Sequence, residues 1–285
     1  MNRIKTIAFL AALSLFSPSF SGAADLMLRL SAGLDRTSAD EVNRALAGWR
    51  EGWRLKTEGD PNLTLENETS GALHLGVDFE AELLLSFSRW LTLGLGAGCS
   101  FASLDERQTR LSIRQDGALF DYTRPTKISA YPVFLSAYVF LPLGQKFKAY
   151  LRAGMGAIFA RNVIREASKK AEAGRFSYTA YHNAGANGTG YIGGLGLSYA
   201  FDESLGFFAE ASFRRAEVSG FEGENSLGES GALYIYEEYD PDVDFWQLRM
   251  SVHAAEPGGE AVRDVRKATV DFGGYSVRIG LSLKL

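Results

Sequence analysis

The chain ends in the run G-G-Y-S-V-R-I-G-L-S-L-K-L, residues 273–285, in which apolar residues alternate with small or charged ones. Side chains on a β-strand point to opposite faces in turn, so this period of two predicts a strand with one wholly apolar face. About 9–11 tilted residues suffice to carry a strand across a bilayer. The segment Tyr275–Leu285 is therefore long enough to be a membrane-spanning strand.

Seven further segments show the same alternation, and the lengths of their connections alternate too. The connections are short after the second, fourth and sixth strands and long after the first, third, fifth and seventh. This asymmetry and the even strand number predict an all-β fold: an eight-stranded antiparallel up-and-down transmembrane barrel with short periplasmic turns and long extracellular loops. The loops are predicted at about 35–70, 104–126, 161–188 and 220–272.

This pattern of strands and loops resembles the small eight-stranded bacterial outer-membrane barrels of the outer membrane protein A, X and W type. The resemblance covers the chain after its first 23 residues and lies in architecture and strand texture, although that family more often ends in Phe than in Leu. It implies a porin-like location in the outer membrane of Gram-negative bacteria. The implied partners are outer-membrane lipid, lipopolysaccharide and the barrel assembly machinery, which would recognise Tyr275–Leu285.

The front of the chain has the pattern of a secretory signal peptide. Arg3 and Lys5 precede an apolar run too short to span a membrane, and small residues follow. We predict a signal peptide over residues 1–23, with cleavage after Ala23 or Ala24, and an outer-membrane barrel domain over 24–285. Loss of the signal changes the formal charge from −4 to −6, which is not the basic balance of a nucleic-acid binder. Cys99 is the single cysteine, so no intramolecular disulfide can form.

The first loop contains a change of period. Ser38 and Glu41 have the spacing of a capping box, and apolar residues then recur at helical intervals. We predict a short amphipathic helix over 39–55. It either packs on the barrel rim and caps it, or is an interfacial helix whose indole rings lie among lipid headgroups. Its apolar face consists of Val42, Leu46, Trp49 and Trp53.

Charged residues occupy many of the predicted inward positions. A ring of eight strands is just wide enough to be filled by side chains, and charges buried there must be paired. We predict a network in which the acids bond to the arginines, serving either as a satisfied polar core or as a polar pathway for a small solute. Its members are Arg29, Asp78, Glu80, Glu82, Arg152, Glu210, Arg214 and Arg278.

The fourth loop is acidic and contains Asp240, Asp242 and Asp244 in a D-x-D-x-D pattern. A calcium loop also needs Gly at its sixth position and Glu at its twelfth, which here are Phe245 and Ser251. These aspartates are thus a weak metal candidate, and no metal or cofactor is predicted. Tyr234, Tyr236 and Tyr239 suggest a rim hairpin with 245–252.

The three histidines, His74, His182 and His253, do not stand in a motif with a nucleophile and an orienting acid. We therefore expect a non-enzymatic outer-membrane barrel with a structural, adhesive or envelope-integrity role through its extracellular loops, whose partner the sequence does not indicate. One alternative is a narrow pore or lateral conduit for small apolar solutes. Another is a secreted soluble β-barrel or sandwich, in which outward strand faces would be polar.

Overall fold

The computed structural model describes residues 25–170 and 177–285. The predicted signal peptide, residues 1–23, lies outside the described residues. The elements in chain order are β1 (Asp25–Thr37), α1 (Asp40–Gly59), β2 (Leu63–Glu68), β3 (Leu75–Ser86), β4 (Leu91–Leu104), β5 (Arg110–Gln115), β6 (Ala118–Thr123), β7 (Thr126–Pro142), β8 (Phe147–Lys170), β9 (Ser177–Ala200), β10 (Leu205–Ser219), β11 (Glu222–Asn225), β12 (Ser230–Asp240), β13 (Phe245–His253), β14 (Val262–Lys267), β15 (Thr269–Asp271) and β16 (Gly274–Lys284).

Eight of these strands close into a barrel. Each pairs antiparallel with two neighbours in the cyclic order β1–β3–β4–β7–β8–β9–β10–β16, and β16 pairs again with β1. The short connections lie between β3 and β4, β7 and β8, and β9 and β10, as predicted. The predicted eight-stranded up-and-down barrel is therefore confirmed.

The outer wall of the barrel is apolar because of the period of two. Every barrel strand exposes large apolar side chains on its outward face, which we call the apolar band. One example from each strand is Leu30, Phe79, Leu95, Leu135, Leu151, Leu195, Phe207 and Ile279. The β4–β7 ladder skips Gly98 and Cys99, close to Pro132, whose ring nitrogen has no proton to donate.

The predicted loops contain more regular structure than the sequence suggested. The loop predicted at 161–188 is wrong at both ends, because β8 continues to Lys170 and β9 begins at Ser177. Ile164 and Ala184 keep the inward alternation there, so the strands continue above the band. The loop at 104–126 holds a β5–β6 hairpin, and β12 and β13 form the expected rim hairpin, which joins the barrel through β11 and β9.

The helix in the first long connection is present but starts differently. It spans Asp40–Gly59, and its N-cap is Ala39, with no side-chain cap bond, so the predicted capping box is wrong. The Glu41 carboxylate instead accepts from the Thr269 amide at 3.1 Å and lies 2.9 Å from Arg266. Because Glu41 bonds to the fourth connection, the helix start is fixed by tertiary contacts.

Within the described ranges 25–170 and 177–285, no helix has the length and apolar character needed to cross a bilayer.

Candidate functional site

Among the described residues, nine charged side chains of the barrel strands are buried inside the barrel and form what we call the charged layer. They occupy the inward positions between the apolar outward ones, and each is at most 9% exposed. They come from β1, β3, β8, β10 and β16, so the layer spans the barrel cross-section. Its members are Arg29, Asp35, Asp78, Glu80, Glu82, Arg152, Glu210, Arg214 and Arg278.

Arg152 is the most connected member of the charged layer. Its terminal nitrogens lie 2.7 Å from Glu80, 3.6 Å from Glu82 and 3.1 Å from Glu210. Its Nε donates to the Ser136 hydroxyl at 3.1 Å. Arg152 therefore links β8 to β3 and β10. Neither of these strands is adjacent to β8, which pairs with β7 and β9.

A second arginine, Arg278, completes this part of the layer. Its guanidinium lies 2.5 Å from Asp78 and 2.6 Å from Glu80, and 4.0 Å from Glu210. Glu80 and Glu210 are thus shared between two arginines. The structure brings these predicted residues together as one continuous ion-pair network.

Arg214 pairs with a residue that the sequence analysis did not include. Its Nη2 donates to Asp35 at 2.6 Å, its Nε donates to the Phe272 carbonyl at 2.9 Å, and Ser100 also donates to Asp35. The first strand was predicted to stop at Leu34. The alternation of β1 actually continues to Thr37, and following it further would have placed Asp35 inside the barrel.

Arg29 contradicts the expected pattern of acid–arginine pairs. Among the described residues, no carboxylate lies within 4.0 Å of its guanidinium, which instead donates to the Tyr150 hydroxyl at 2.5 Å. It stands 3.5 Å from the ring centre of Phe208 and 4.7 Å from that of Tyr150. A desolvated guanidinium over aromatic faces gains cation–π attraction, which replaces the ion pair here.

These rings belong to an aromatic floor, a buried cluster of Leu84, Tyr138, Tyr150 and Phe208 on the short-turn side of the charged layer. Tyr138 donates to Glu82 at 2.5 Å, and Tyr150 donates to Glu210 at 3.0 Å. Both hydroxyls satisfy carboxylate oxygens that the arginines leave available. Neither tyrosine was predicted as a member of the interior network, although each occupies an inward position.

The charged layer is tightly filled. The cavity among its side chains measures about 10 Å³, roughly the room of one water molecule. Inward glycines make the space for the large groups: a Cβ at Gly196 would collide with the Tyr150 ring, and one at Gly280 would approach Phe208 to 2.6 Å. The run of inward glycines thus reflects crowding by side chains on neighbouring strands.

Beyond the charged layer, towards the long connections, the interior becomes apolar. This part of the interior is filled by side chains of the barrel strands and by Phe272, which lies just before β16. We call them the apolar plug: Phe134, Ile158, Ile192, Ala216, Val218 and Phe272. They share one buried cluster with side chains of α1 and of the β12–β13 hairpin. These two elements, which we call the lid, therefore close the outer mouth of the barrel.

The burial of α1 distinguishes between the two positions predicted for the helix. Val42, Leu46 and Trp49 are buried in the protein, with Trp49 only 4% exposed, and the half-buried Trp53 lies 4.2 Å from the Tyr122 ring. Trp49 packs with Leu111 and Ile113 of the β5–β6 hairpin. The interfacial placement is therefore wrong, because the indole that it needs in the headgroups is inside the protein.

Three polar side chains hold the edge strand β13 in place, two on barrel strands and one, Arg124, just before β7. Arg124, which is fully buried, donates to the Met250 carbonyl at 3.5 Å and lies 3.3 Å from Glu166. Asn162 donates to the Met250 sulfur, and the Val252 amide donates to Nδ1 of His182 at 3.1 Å. Burial, followed by the nearby Arg124 cation, lowers the pKa of His182 to about 4.

The weak metal candidate of the fourth connection is occupied by other contacts. Asp240 forms an ion pair with Lys56 at 2.7 Å, Asp244 accepts from Tyr239, and Asp240 also accepts from the Asp242 amide. In the part of the chain that the structure describes, no three His, Cys, Asp or Glu side chains are close enough to hold a metal ion. The three aspartates therefore do not converge.

One hydroxyl–imidazole contact was not anticipated. Ser251 and His253 lie on the same face of β13, with Oγ and Nε2 2.8 Å apart, and Tyr236 contacts both at 3.0 and 3.2 Å. The period of two could have indicated this pair once β13 was recognised as a strand. Within the described residues no carboxylate is hydrogen-bonded to the His253 ring.

Comparison with known proteins gives matches to solved structures only. No protein family and no curated protein matches the sequence. Neisserial surface protein A is 10% identical and aligns over 92% of this chain and 99% of its own, with a TM-score of 0.38. The outer membrane protease OmpT from Escherichia coli is 7% identical over 95% and 99%, with a TM-score of 0.27. The translocator domain of the autotransporter NalP from Neisseria meningitidis is 11% identical over 99% and 95%, with a TM-score of 0.21.

Proposed function

We propose that this protein is a non-conducting barrel of the Gram-negative outer membrane, exported by its signal peptide, with a structural or adhesive role through its lid and long connections. The observation that carries this proposal is the filled interior. An aromatic floor, a charged layer with a cavity of about 10 Å³, an apolar plug and a lid follow one another along the barrel axis. In the part of the chain that the structure describes, these layers interrupt any continuous path from one mouth of the barrel to the other.

The membrane location rests on the apolar band. The outward alternation on β16 runs from Tyr275 to Leu285, and eleven strand residues tilted by about 40° span roughly 26 Å, which fits the hydrocarbon core seen by such barrels. Exposed aromatic residues lie at both rims, as expected where a barrel meets the headgroups. They are Phe87, Trp90, Phe147 and Phe201 on the short-turn side and Tyr131, Phe159, Phe213 and Tyr275 on the other.

The transport alternatives receive less support from the interior. A lateral conduit for apolar solutes needs an open apolar funnel at the outer mouth. Apolar side chains do line that end, but Phe134, Ile158 and Ile192 fill it, and α1 packs over them. A soluble binding protein is also disfavoured, because its outward faces would be polar.

Single-channel recording of the refolded mature barrel in planar bilayers tests the proposal. We expect a silent wild type and discrete openings after Arg152→Ala, because that change empties the centre of the charged layer. Met155→Ala, on the lipid-facing side of the same strand, is the matched control and should stay silent. Steady openings of the wild type would refute the non-conducting barrel. Failure of the refolded chain to insert would refute the membrane location itself.

A further inference from the structure

On the side of the long connections, the exposed cations of the described residues fall into two groups. Those of the long connections are mostly paired with carboxylates, for example Arg54 with Glu58 at 2.6 Å and Arg114 with Glu66 at 2.8 Å. A second group points outward from the barrel strands just above the apolar band. We call it the basic collar: Arg36, Lys127, Arg161, Arg165 and Arg215.

Two members of the collar have no acidic partner. Among the described residues, no carboxylate lies within 4.0 Å of Lys127 or Arg161, although acidic residues are common in the neighbouring connections. The positive charges of Lys127 and Arg161 are therefore available to an anion.

Lys127, Arg161 and Arg165 converge on one groove. In the β7–β8 ladder, Lys127 lies opposite Val163 and Ser129 lies opposite Arg161. Lys127 and Arg161 are therefore on the same outward face, at neighbouring outward positions of the two strands. The groove has a volume of about 420 Å³, and Ser129 at its base is only 4% exposed because its neighbours cover it. It is lined by Leu104, Pro125, Thr126, Lys127, Ser129, Tyr131, Arg161, Val163 and Arg165.

The groove lies at the upper edge of the apolar band. Tyr131 also lines the groove and is 43% exposed, with its ring 6.0 Å from that of Phe101. Phe159 is exposed two residues before Arg161 on the same face. Aromatic side chains mark the boundary between hydrocarbon and headgroups, so cations one step further out stand at headgroup level.

We propose that this groove, through Lys127 and Arg161, binds the phosphate of an outer-leaflet lipid headgroup. The inference rests on the membrane location proposed above. A guanidinium matches phosphate oxygens in a bidentate geometry, and an ammonium adds a third donor centre. Arg161 donates its Nε to Asn183 at 2.8 Å, which orients its guanidinium plane beside β9. The lipid chains would then lie along Tyr131 and Phe159.

A second groove of the collar makes a useful contrast. Arg36 and Arg215 line a groove of about 620 Å³ on the β1–β16–β10 side of the barrel, but Asp40 and Asp271 line it too. Carboxylates at the same place would repel a phosphate. Among the described residues, the lining of the β7–β8 groove is basic or neutral, so we assign the lipid to it.

Native mass spectrometry of the refolded full barrel with lipid A tests this assignment. The probes are lipid A with both phosphates, lipid A without phosphates, and inorganic phosphate as competitor. The test variant is Lys127→Gln/Arg161→Gln, and the matched control is Arg36→Gln/Arg215→Gln, which removes the same charge on the other side. We expect the wild type to retain the phosphorylated lipid preferentially, the test variant to lose about tenfold in apparent affinity, and the control to change by less than about threefold.

Equal losses in both variants would overturn the assignment, because they would indicate a diffuse attraction by the whole collar. Displacement of the lipid by millimolar inorganic phosphate would overturn it as well, since the site would then take a free anion. Insertion is checked separately by the heat-dependent gel shift of the folded barrel in vesicles. A wild type that inserts without preference for phosphate refutes this inference alone, whereas one that does not insert refutes the proposed function.

Discussion

The charged layer and the apolar plug fill the same barrel in different ways. The charged layer joins strands across the barrel by ion pairs such as Arg152–Glu80, between β8 and β3. The apolar plug packs wall residues such as Ile158 against each other and against the lid. The difference shows that the stability of the charged layer depends on specific ion-pair partners, whereas that of the apolar plug depends on close packing and on the lid.

Charge balance makes the first half the more sensitive one. The charged layer contains five carboxylates and four arginines, all buried. Removing one partner from a buried ion pair leaves an uncompensated charge, which costs more than the methylene groups lost from an apolar site. We therefore expect that removing a charge from the charged layer lowers the free energy of unfolding more than truncating a side chain of the apolar plug.

The largest effect is expected for Arg152→Met. The substitution keeps the bulk of the side chain but leaves Glu80, Glu82 and Glu210 without their shared cation, and we expect a loss of about 3–5 kcal/mol in the free energy of unfolding. Urea unfolding in lipid vesicles, followed by tryptophan fluorescence, measures it. Arg161→Met, an exposed arginine on the same strand, should change stability by less than about 0.5 kcal/mol. Similar values for the two variants would show that the layer is not a buried network.

The plug should respond to lost volume in a graded way. Ile158 is fully buried, so Ile158→Ala should cost about 3 kcal/mol and Ile158→Val about 1 kcal/mol in the same unfolding assay. The gradient follows from the transfer energy of the removed methyl groups together with the cavity left behind. Equal costs for both substitutions would argue against close packing of this half.

Adding one methyl group at the short-turn end of the barrel tests how tightly the aromatic floor is packed. Gly196→Ala places a Cβ against the Tyr150 ring and should destabilise the barrel by about 2 kcal/mol through overpacking. On the same strand, a Cβ at Gly193 would meet no atom within 4 Å. Gly193→Ala is therefore the control and should unfold like the wild type. A stable Gly196→Ala variant would mean that Tyr150 can move aside.

The smallest effect concerns the attachment of the lid. The folded pKa of His182, about 4, lies below its ordinary 6.5, because burial and then Arg124 and His253 disfavour the imidazolium more than Glu166 favours it. His182 is solvated when the lid detaches, so the detached state binds the proton first. The attachment of the lid is fully stable above pH 6.5 and weakens as the pH drops from 6.5 towards 4, by on the order of 1 kcal/mol between pH 7 and pH 5.

Hydrogen exchange of the Val252 amide, which donates to His182, reports this change after correction for the intrinsic rate. We expect less protection at pH 5 than at pH 7 in the wild type and a flat profile in His182→Gln. His253→Gln, next to Val252, is the control and should keep most of the wild-type slope, because His253 is the smallest of the contributions to the lowered pKa of His182. A slope that survives His182→Gln would assign the pH dependence to another group.

Local pattern predicted the barrel better than it predicted the connections. The strand number, the short turns and the outward faces follow from the period of two, which each strand carries by itself. The rim hairpin was predicted, but the β5–β6 hairpin and the continuation of β8 and β9 were not, because charged residues there resemble loop sequence. Their order comes from packing on the lid, as the burial of Ile113 and Ile164 shows.

The candidate site was predicted as a set of residues and less well as a set of bonds. Eight of the nine members of the charged layer follow from their inward positions. Asp35 was missed with the end of β1, and Arg29 was assigned an acid where the structure gives it aromatic rings. Partners across the barrel come from strands far apart in the sequence, so spacing alone does not select among them.

The sequence by itself determined the strands, their apolar outward faces and the presence of charge inside, because alternation along a strand is a local property of the backbone. The tertiary structure decided which acid meets which arginine, where the interior changes from charged to apolar, and that α1 is buried as part of a lid. Those outcomes depend on ring closure and strand stagger, which place side chains distant in the chain within bonding distance.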